Sequence, residues 1–402
     1  MVNSDYNVLK DWMFGKLNFL LEDLDPNPNY PILKMSLGEP TLKMPDFVRH
    51  ELSVNFNEWG KYPPSAAIPE LSNSIFKYIE RRNPGAEKII NKNKNIVPVP
   101  GTREPLHLVG LLAKNTKIGE TTAIVTNPFY HAWRAGSISS GSKIHWLNAL
   151  PENQYLPNIL NIPKKILDTC VIMYICSPSN PHGGIASLNY LKNAILLARK
   201  YGFILAIDEC YSDIYRLNKP KPVGGLDAAL SLGNNLDNLI VFNSLSKRSN
   251  ASGMRAGFIV GDEKIIDSYK LLVSNGASPV PIPIQKAAAS LYDDEDHNTK
   301  ACIHYDQNFQ IVEEYLKPFY KDFKVPGGGF FLWLKVDDDE EATKTLWNKF
   351  SLRVMPGRYM AKEVDGFNPG KGYLRIAIVD DKEVVEDAMK RISLFLKSKL
   401  TK

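Results

Sequence analysis

Uninterrupted apolar runs alternate with stretches of helical periodicity through the middle of the chain. Thr122-Ala123-Ile124-Val125-Thr126 is one such run and Cys170-Val171-Ile172-Met173-Tyr174-Ile175-Cys176 is another. Phe203-Ile204-Leu205-Ala206-Ile207 and Leu239-Ile240-Val241-Phe242 follow, then Phe258-Ile259-Val260. Runs without polar alternation predict strands buried on both faces, as in a parallel sheet covered by helices. Between the second and third runs, Leu188, Leu191, Ile195, Leu196 and Ala198 recur at helical spacing. They predict a helix over 187–201 with those side chains inward. The rhythm is that of an α/β domain with a mainly parallel sheet. Ligands of such sheets bind beyond the carboxyl ends of the strands.

The flanks have a different pattern. Apolar positions from Val8 to Leu24 predict a helix over 7–24, stopped by Asp25-Pro26-Asn27-Pro28. A short strand follows near Ile32–Met35 and ends in a tight turn at Gly38. An irregular loop from Lys61 to Ile68 enters a helix at Pro69. Val97-Pro98-Val99-Pro100-Gly101-Thr102-Arg103-Glu104 reads as a second loop-to-helix junction. Its free N–H groups suit an anion, although an ordinary helix cap has the same composition. Beyond about residue 280 the pattern predicts a long helix over 283–318, broken near 293–296. A strand pair around a glycine turn over 323–336, a short strand at 352–355 and a strand at 373–379 come next. The last helix, over 381–399, carries core-facing Val385, Ala388, Met389, Ile392 and Leu396. These elements predict a second, α+β domain completed by the N-terminal segment.

Composition narrows the classes. A chain of 402 residues, 44% hydrophobic, is too long for one core, so two domains are expected. The net charge of +5 is mild and spread along the chain, which argues against nucleic acid as a partner. Cys170, Cys176, Cys210 and Cys302 have no metal-ligand spacing and form no disulfide framework. They read as reduced thiols of a cytoplasmic protein. The first residues lack a signal-peptide pattern, and no apolar run approaches the ~20 residues of a membrane helix.

Chemistry concentrates in the loop between two buried runs, Phe242-Asn243-Ser244-Leu245-Ser246-Lys247-Arg248-Ser249-Asn250-Ala251-Ser252-Gly253-Met254-Arg255-Ala256-Gly257-Phe258. Hydroxyls and cations there can hold a phosphate and a reactive amine together. Asn180, Asp208 and Lys247 all lie just past strand ends and can converge on one crevice.

In order and kind, these motifs resemble the fold type I, pyridoxal-phosphate-dependent aminotransferases of classes I and II, over nearly the whole chain. The resemblance implies a large domain over 46–285 with a mainly parallel seven-stranded sheet flanked by helices. It implies a smaller α+β domain from 1–45 and 286–402. The implied cofactor is pyridoxal 5'-phosphate, with Lys247 of the Ser-x-Ser-Lys motif as its covalent anchor. Asp208 matches the carboxylate that keeps the ring nitrogen protonated. Glu209, next along the strand, should face the other way. Asn180 and Tyr211 match the donors to the phenolic oxygen, and Tyr130 matches the ring that stacks on the cofactor, with Phe129 as the alternative. Lys247, Asp208 and Tyr211 form the implied catalytic group. The phosphate is implied to sit on the backbone of Gly101, Thr102 and Arg103, the hydroxyls of Thr102, Ser244 and Ser246, and Arg255. Tyr62 matches a tyrosine that reaches this phosphate from the neighbouring subunit, which implies a homodimer with a shared site. Arg375 matches the arginine for the substrate α-carboxylate, assisted by Asn180 and the Gly38 backbone.

Two positions depart from the family pattern. His182 stands where Asn-Pro-Thr-Gly usually has threonine, and Ala67 stands where glycine is common. If position 67 needs positive φ, alanine is strained there. The runs around Gly101, Asn127, Ser244 and Asn368 resemble bacterial succinyldiaminopimelate transaminases. That implies amino transfer between N-succinyl-LL-2,6-diaminopimelate and 2-oxoglutarate, in lysine and diaminopimelate biosynthesis. Aspartate, aromatic amino acids, unsuccinylated diaminopimelate and C–S lyase chemistry on the same fold are the alternatives. The extra carboxylates call for further cations, for which Arg103, Arg248 and Arg358 are candidates, each also readable as structural.

Overall fold

The computed structural model describes residues 4–114, 116–233 and 235–400. Its strands, in chain order, are β1 (Leu33–Lys34), β2 (Ile96–Val99), β3 (Thr122–Asn127), β4 (Lys143–Asn148), β5 (Cys170–Cys176) and β6 (Ile204–Asp208). They continue with β7 (Leu239–Ser244), β8 (Gly257–Gly261), β9 (Phe331–Lys335), β10 (Leu352–Arg353), β11 (Met355–Pro356) and β12 (Tyr373–Ala377). A seven-stranded sheet runs in the order β2-β8-β7-β6-β5-β3-β4. The pairs from β4 through β3, β5 and β6 to β7 are parallel, and β8 is antiparallel to both its neighbours. The mainly parallel α/β class expected from the apolar runs is therefore the one observed.

The pleat divides each run between two cores. Met173, Ile175, Leu205 and Ile207 pack on one face, against helices that include Pro69–Arg82, Leu188–Tyr201 and Ile282–Asp293. Ile172, Tyr174, Cys176 and Ala206 pack on the other, against helices that include Arg103–Ala113 and His131–Ser139. This two-sided cover is why those strands carry no polar alternation. A third apolar cluster joins β9 and β12 to the helices Asp296–Leu316, Asp339–Phe350 and Lys382–Leu400. In it β11, β12 and β9 form an antiparallel sheet with β12 in the centre, and β1 pairs in parallel with β10.

Four expectations need correction. Residues 96–99 are a strand, not a loop. Its proline, Pro98, is tolerated because β2 is an edge strand that pairs with β8 alone. The expected helix over 7–24 is a 3₁₀ turn, Ser4–Lys10, and an α-helix, Met13–Leu21, with extended backbone at Trp12 between them. The expected strand pair over 323–336 is only β9. The glycines before it pair with the 214–216 loop instead, where Gly329 N–H donates to the Ile214 carbonyl at 2.8 Å. In the helix Leu188–Tyr201, Leu191, Ile195 and Ala198 are buried, but Leu188 and Leu196 are exposed. The break in the long C-terminal helix falls where expected, between Asp293 and Asp296. Among the described residues, no helix is long and apolar enough to cross a membrane.

Candidate active site

The register of the large sheet brings the candidate residues together. Asp208 ends β6, opposite Cys176 on β5 and Phe242 on β7. Asn180 follows β5 within one turn, and Lys247 follows β7. All three line one cavity of about 460 Å³ beyond the carboxyl ends of the strands. Gly38, Thr102, Tyr130, Tyr211, Ser244 and Ser246 line it as well. So do Arg103, Arg255 and Arg375.

Lys247 is half-buried, and its Nζ donates to the Gly38 carbonyl at 2.6 Å. Its ammonium also lies over the Phe330 ring, 5.6 Å from the centroid. Burial is the largest influence and pulls its pKa down to about 8, with Arg375 and Arg255 adding repulsion. Asp208 is 5% exposed and accepts a bond from the Cys210 N–H at 3.2 Å. Burial raises its pKa, since the charged form is short of water. Glu209 points the other way, as the pleat requires, and accepts from Gly225 N–H at 2.7 Å.

A ring of hydroxyls and one guanidinium closes one side of the cavity. Thr102 sits at the N-cap of the helix Arg103–Ala113, but its hydroxyl does not cap that helix; it contacts Cys210 Sγ at 2.9 Å. Ser244 Oγ bonds Ser246 Oγ at 3.0 Å. Arg255 donates to the carbonyls of Ser252 at 2.8 Å and Pro100 at 3.1 Å. Gly101 has φ +69°, and a Cβ there would collide with Arg255 Nη2. Glycine suits the left-handed backbone of this turn, and a larger residue would also make the guanidinium tip shift.

Arg375 comes from the central strand of the smaller sheet and is 3% exposed. Its guanidinium lies on the Phe331 ring, 4.5 Å from the centroid. Nη2 donates to the Ser36 carbonyl at 2.7 Å and Nη1 to Asn180 Oδ1 at 3.3 Å, while Nε is buried without a partner. A buried guanidinium on the cavity wall that faces no carboxylate among the described residues is suited to an anion.

Comparisons with known proteins decide the family. The model of aminotransferase class I and II matches residues 30–392. The chain belongs to the class I and II aminotransferases. The crystal structure of an aminotransferase from Neisseria meningitidis Z2491 superposes with a TM-score of 0.93 at 32% identity, over 98% of this chain and 100% of that one. Aminotransferase AspB from Helicobacter pylori 26695 gives 0.87 at 29% identity, over 96% and 98%. Among curated proteins, an LL-diaminopimelate aminotransferase of Natranaerobius thermophilus is 26% identical over 96% of this chain and 97% of its own length. A second LL-diaminopimelate aminotransferase, from Dehalococcoides mccartyi, is 26% identical over 90% of this chain and 91% of its own. Both carry the LL-diaminopimelate name and not a succinyldiaminopimelate one. The protein is a transaminase, and enzymes of this family generally depend on pyridoxal phosphate.

The remaining expected residues of this aminotransferase fall outside the cavity wall. Tyr62 is fully exposed and does not line the cavity. Arg248 is 1% exposed and is consumed by Asp213 at 3.2 Å, Glu295 at 2.7 Å and the Leu291 carbonyl at 2.8 Å. Arg358 is held by Asp338, Asp339 and Glu340, at 3.0, 2.7 and 2.7 Å. Neither lines the cavity. His182 is buried, stacked on Tyr155 at 4.8 Å between ring centres, and burial drops its pKa to about 3. It is a neutral packing residue behind Asn180. Ala67 does not adopt positive φ, so it carries no strain. Sequence reasoning missed Asp11, Trp12, Glu39, Arg134 and Tyr359, which also line the cavity. Only Arg134 had a legible signal: it stands one helical turn beyond Tyr130.

Proposed function

We propose that this aminotransferase holds pyridoxal 5'-phosphate on Lys247. It would transfer an amino group between a diaminopimelate-type amino acid and 2-oxoglutarate. The observation that carries the proposal is an amine with a pKa near 8 sharing one cavity with a buried carboxylate, Asp208. Arg375, buried on the cavity wall, and Arg255, packed against the positive-φ Gly101, support the fit of an anionic cofactor and an anionic substrate. Thr102, Ser244, Ser246, Arg255 and the backbone of Gly101, Thr102 and Arg103 would hold the phosphate. Asn180 and Tyr211 would serve the phenolic oxygen, and Tyr130 would cover the ring. In this reading residues 46–285 form the cofactor-binding domain, and 1–45 with 286–402 form the smaller domain that brings Arg375. Tyr62 of a second copy would reach the phosphate, making the working unit a homodimer.

The bound cofactor supplies an electron sink for the charge left when the substrate Cα–H bond breaks. Arg375 binds the substrate α-carboxylate in a fork, which lysine could not do. That contact and Asn180 orient the Cα hydrogen toward Lys247. Nζ of Lys247 takes this proton and later returns it, a role that suits an amine titrating near 8. Asp208 would serve the cofactor ring nitrogen and help to hold a proton there. Phe330 and Phe331 exclude water from the reacting side.

Motif detail favours the N-succinyl substrate, while the names of the curated relatives favour free LL-diaminopimelate. Holoenzyme should be offered each of these, with aspartate, phenylalanine and cystathionine as controls, and 2-oxoglutarate as acceptor. Glutamate formation from either diaminopimelate compound, at the highest kcat/KM of the set, is expected. Preference for aspartate or phenylalanine, or pyruvate and ammonia from cystathionine, would overturn the substrate reading. Visible absorbance of the bound cofactor that survives in Lys247→Ala would overturn the anchor.

A further inference from the structure

Five cations line the cavity: Arg103, Arg134, Lys247, Arg255 and Arg375. The proposed chemistry employs three of them, Lys247 for the cofactor, Arg255 for the phosphate and Arg375 for the α-carboxylate. Arg103 and Arg134 are left over. Arg103 is exposed, and its Nε donates to the Tyr130 hydroxyl at 3.2 Å. Arg134 is different, because it is 6% exposed and charged. A buried cation needs an anion or a full set of acceptors.

Arg134 has neither in full. Its guanidinium lies over the Phe129 ring, 5.0 Å from the centroid, which fixes its plane. Nη2 donates to the Asp11 carbonyl at 2.9 Å. Nη1 stands 3.7 Å from the Asp11 carboxylate, beyond hydrogen-bond range. Nε is buried with no partner. Meanwhile the Asp11 carboxylate, 43% exposed, is held by Lys16 at 2.5 Å. Glu39, the other acid on this wall besides Asp11 and Asp208, acts on Lys247. The positive field is felt nearby: burial first, then Arg103 and Arg134, depress His131 to about 4.

We propose that Arg134 is the subsite for the distal carboxylate of a dicarboxylic amino acid, and that Asp11 is a weak internal stand-in which that carboxylate displaces. This rests on the transaminase reading, in which Arg375 takes the α-carboxylate. Two buried arginines on one cavity, Arg134 with its Nη1 only loosely paired to Asp11, then recognise the two ends of one substrate. Asp11 keeps its bond to Lys16 when displaced, so the exchange costs little. Residues 11–14 lie on the cavity wall, so the exchange would also loosen the N-terminal segment there and ease entry and exit.

The test uses holoenzyme half-reactions, followed by cofactor absorbance. L-2-aminoadipate and diaminopimelate are the dicarboxylic donors; L-norleucine and L-alanine are the monocarboxylic ones. Arg134→Gln should raise KM for the first pair by about tenfold to a hundredfold, the worth of a charge-assisted fork. It should leave kcat and the monocarboxylic KM within about twofold. Arg134→Lys should restore only part. Asp11→Ala keeps Arg134 in place and should lower the dicarboxylic KM severalfold. Calorimetry of pimelate against heptanoate on the same proteins should show the same split without turnover. Equal effects on both donor classes, no effect of Arg134→Gln, or an unchanged or higher dicarboxylic KM in Asp11→Ala would each overturn the proposal. Failure of the wild type with every donor would instead defeat the transaminase reading itself.

Discussion

Lys247 should destabilise the cofactor-free fold, and removing its charge should make that fold stronger. The amine titrates near 8 in the folded protein against an ordinary value of 10.5, with burial the leading cause. That depression corresponds to roughly 3 kcal/mol at about 1.4 kcal/mol per pH unit. Lys247 is half-buried, so water at the cavity mouth screens part of this. Its bond to the Gly38 carbonyl, 2.6 Å long, returns about 1 kcal/mol. Lys247→Met, of similar length and without charge, should therefore stabilise the cofactor-free protein by about 1–2 kcal/mol at pH 7.

The sign fixes the pH dependence. Below pH 8 both folded and unfolded chains carry the proton, and the fold bears the whole cost. Between about 8 and 10.5 the folded amine is neutral while the unfolded one is still protonated. The unfolded state then binds more protons, so wild-type stability from this group rises with pH. Above 10.5 the cost is gone. Denaturation midpoints of cofactor-free wild type and Lys247→Met, taken from pH 7 to 10, should converge as the pH rises. A variant no more stable than wild type at pH 7, or a difference that does not change with pH, would refute the reasoning. The same variant should have no transaminase activity, which would mark the lysine as a site where function is kept against stability.

Asp208→Asn should bind the cofactor but lose kcat by about a hundredfold or more, because on the proposed reading it removes the carboxylate that serves the ring nitrogen; single-turnover absorbance measures it. Gly101→Ala must bear φ +69° and push Arg255 aside, so the cofactor dissociation constant should rise about tenfold or more while the sheet melts unchanged. Arg375→Lys keeps the charge but not the fork, and should raise KM for every amino acid, dicarboxylic or not, by about tenfold to a hundredfold.

The large sheet was legible because its strands are buried on both faces. Cys170 to Cys176 has no polar position to confuse with a loop, and the helix that follows was legible in extent though not in every inward position, since Leu188 and Leu196 are exposed. Lys247, Asp208 and Asn180 were legible for a related reason. They sit at the ends of those strands, where any ligand of such a sheet must bind. Edge and irregular pieces were not. Pro98 hid β2, because proline signals a loop unless the strand is known to be an edge. The 323–330 stretch looked like a strand from its apolar residues, yet its partner is the loop at 214–216, and no local pattern announces that pairing. At the helix break around Trp12, Arg134 takes the Asp11 carbonyl, a distant contact that no local pattern announces.

The arginines show where sequence reasoning reaches its physical limit. Arg248 and Arg358 looked as available as Arg103 because a side chain with five donors gives no hint of its acceptors. Arg248 finds Asp213 and Glu295, and Arg358 finds three acids at the start of the helix Asp339–Phe350. Arginines held by acids in this way, away from the cavity, organise the protein and are not placed to meet a substrate. Among the described residues, Arg375 and Arg134 are the buried arginines on the cavity wall, and these are the two proposed to recognise an anion. On the proposed reading, substrate choice turns on incomplete pairing. A cation buried at a cost and left short of acceptors recovers that cost only when a carboxylate arrives, so its discrimination is against every substrate that lacks one.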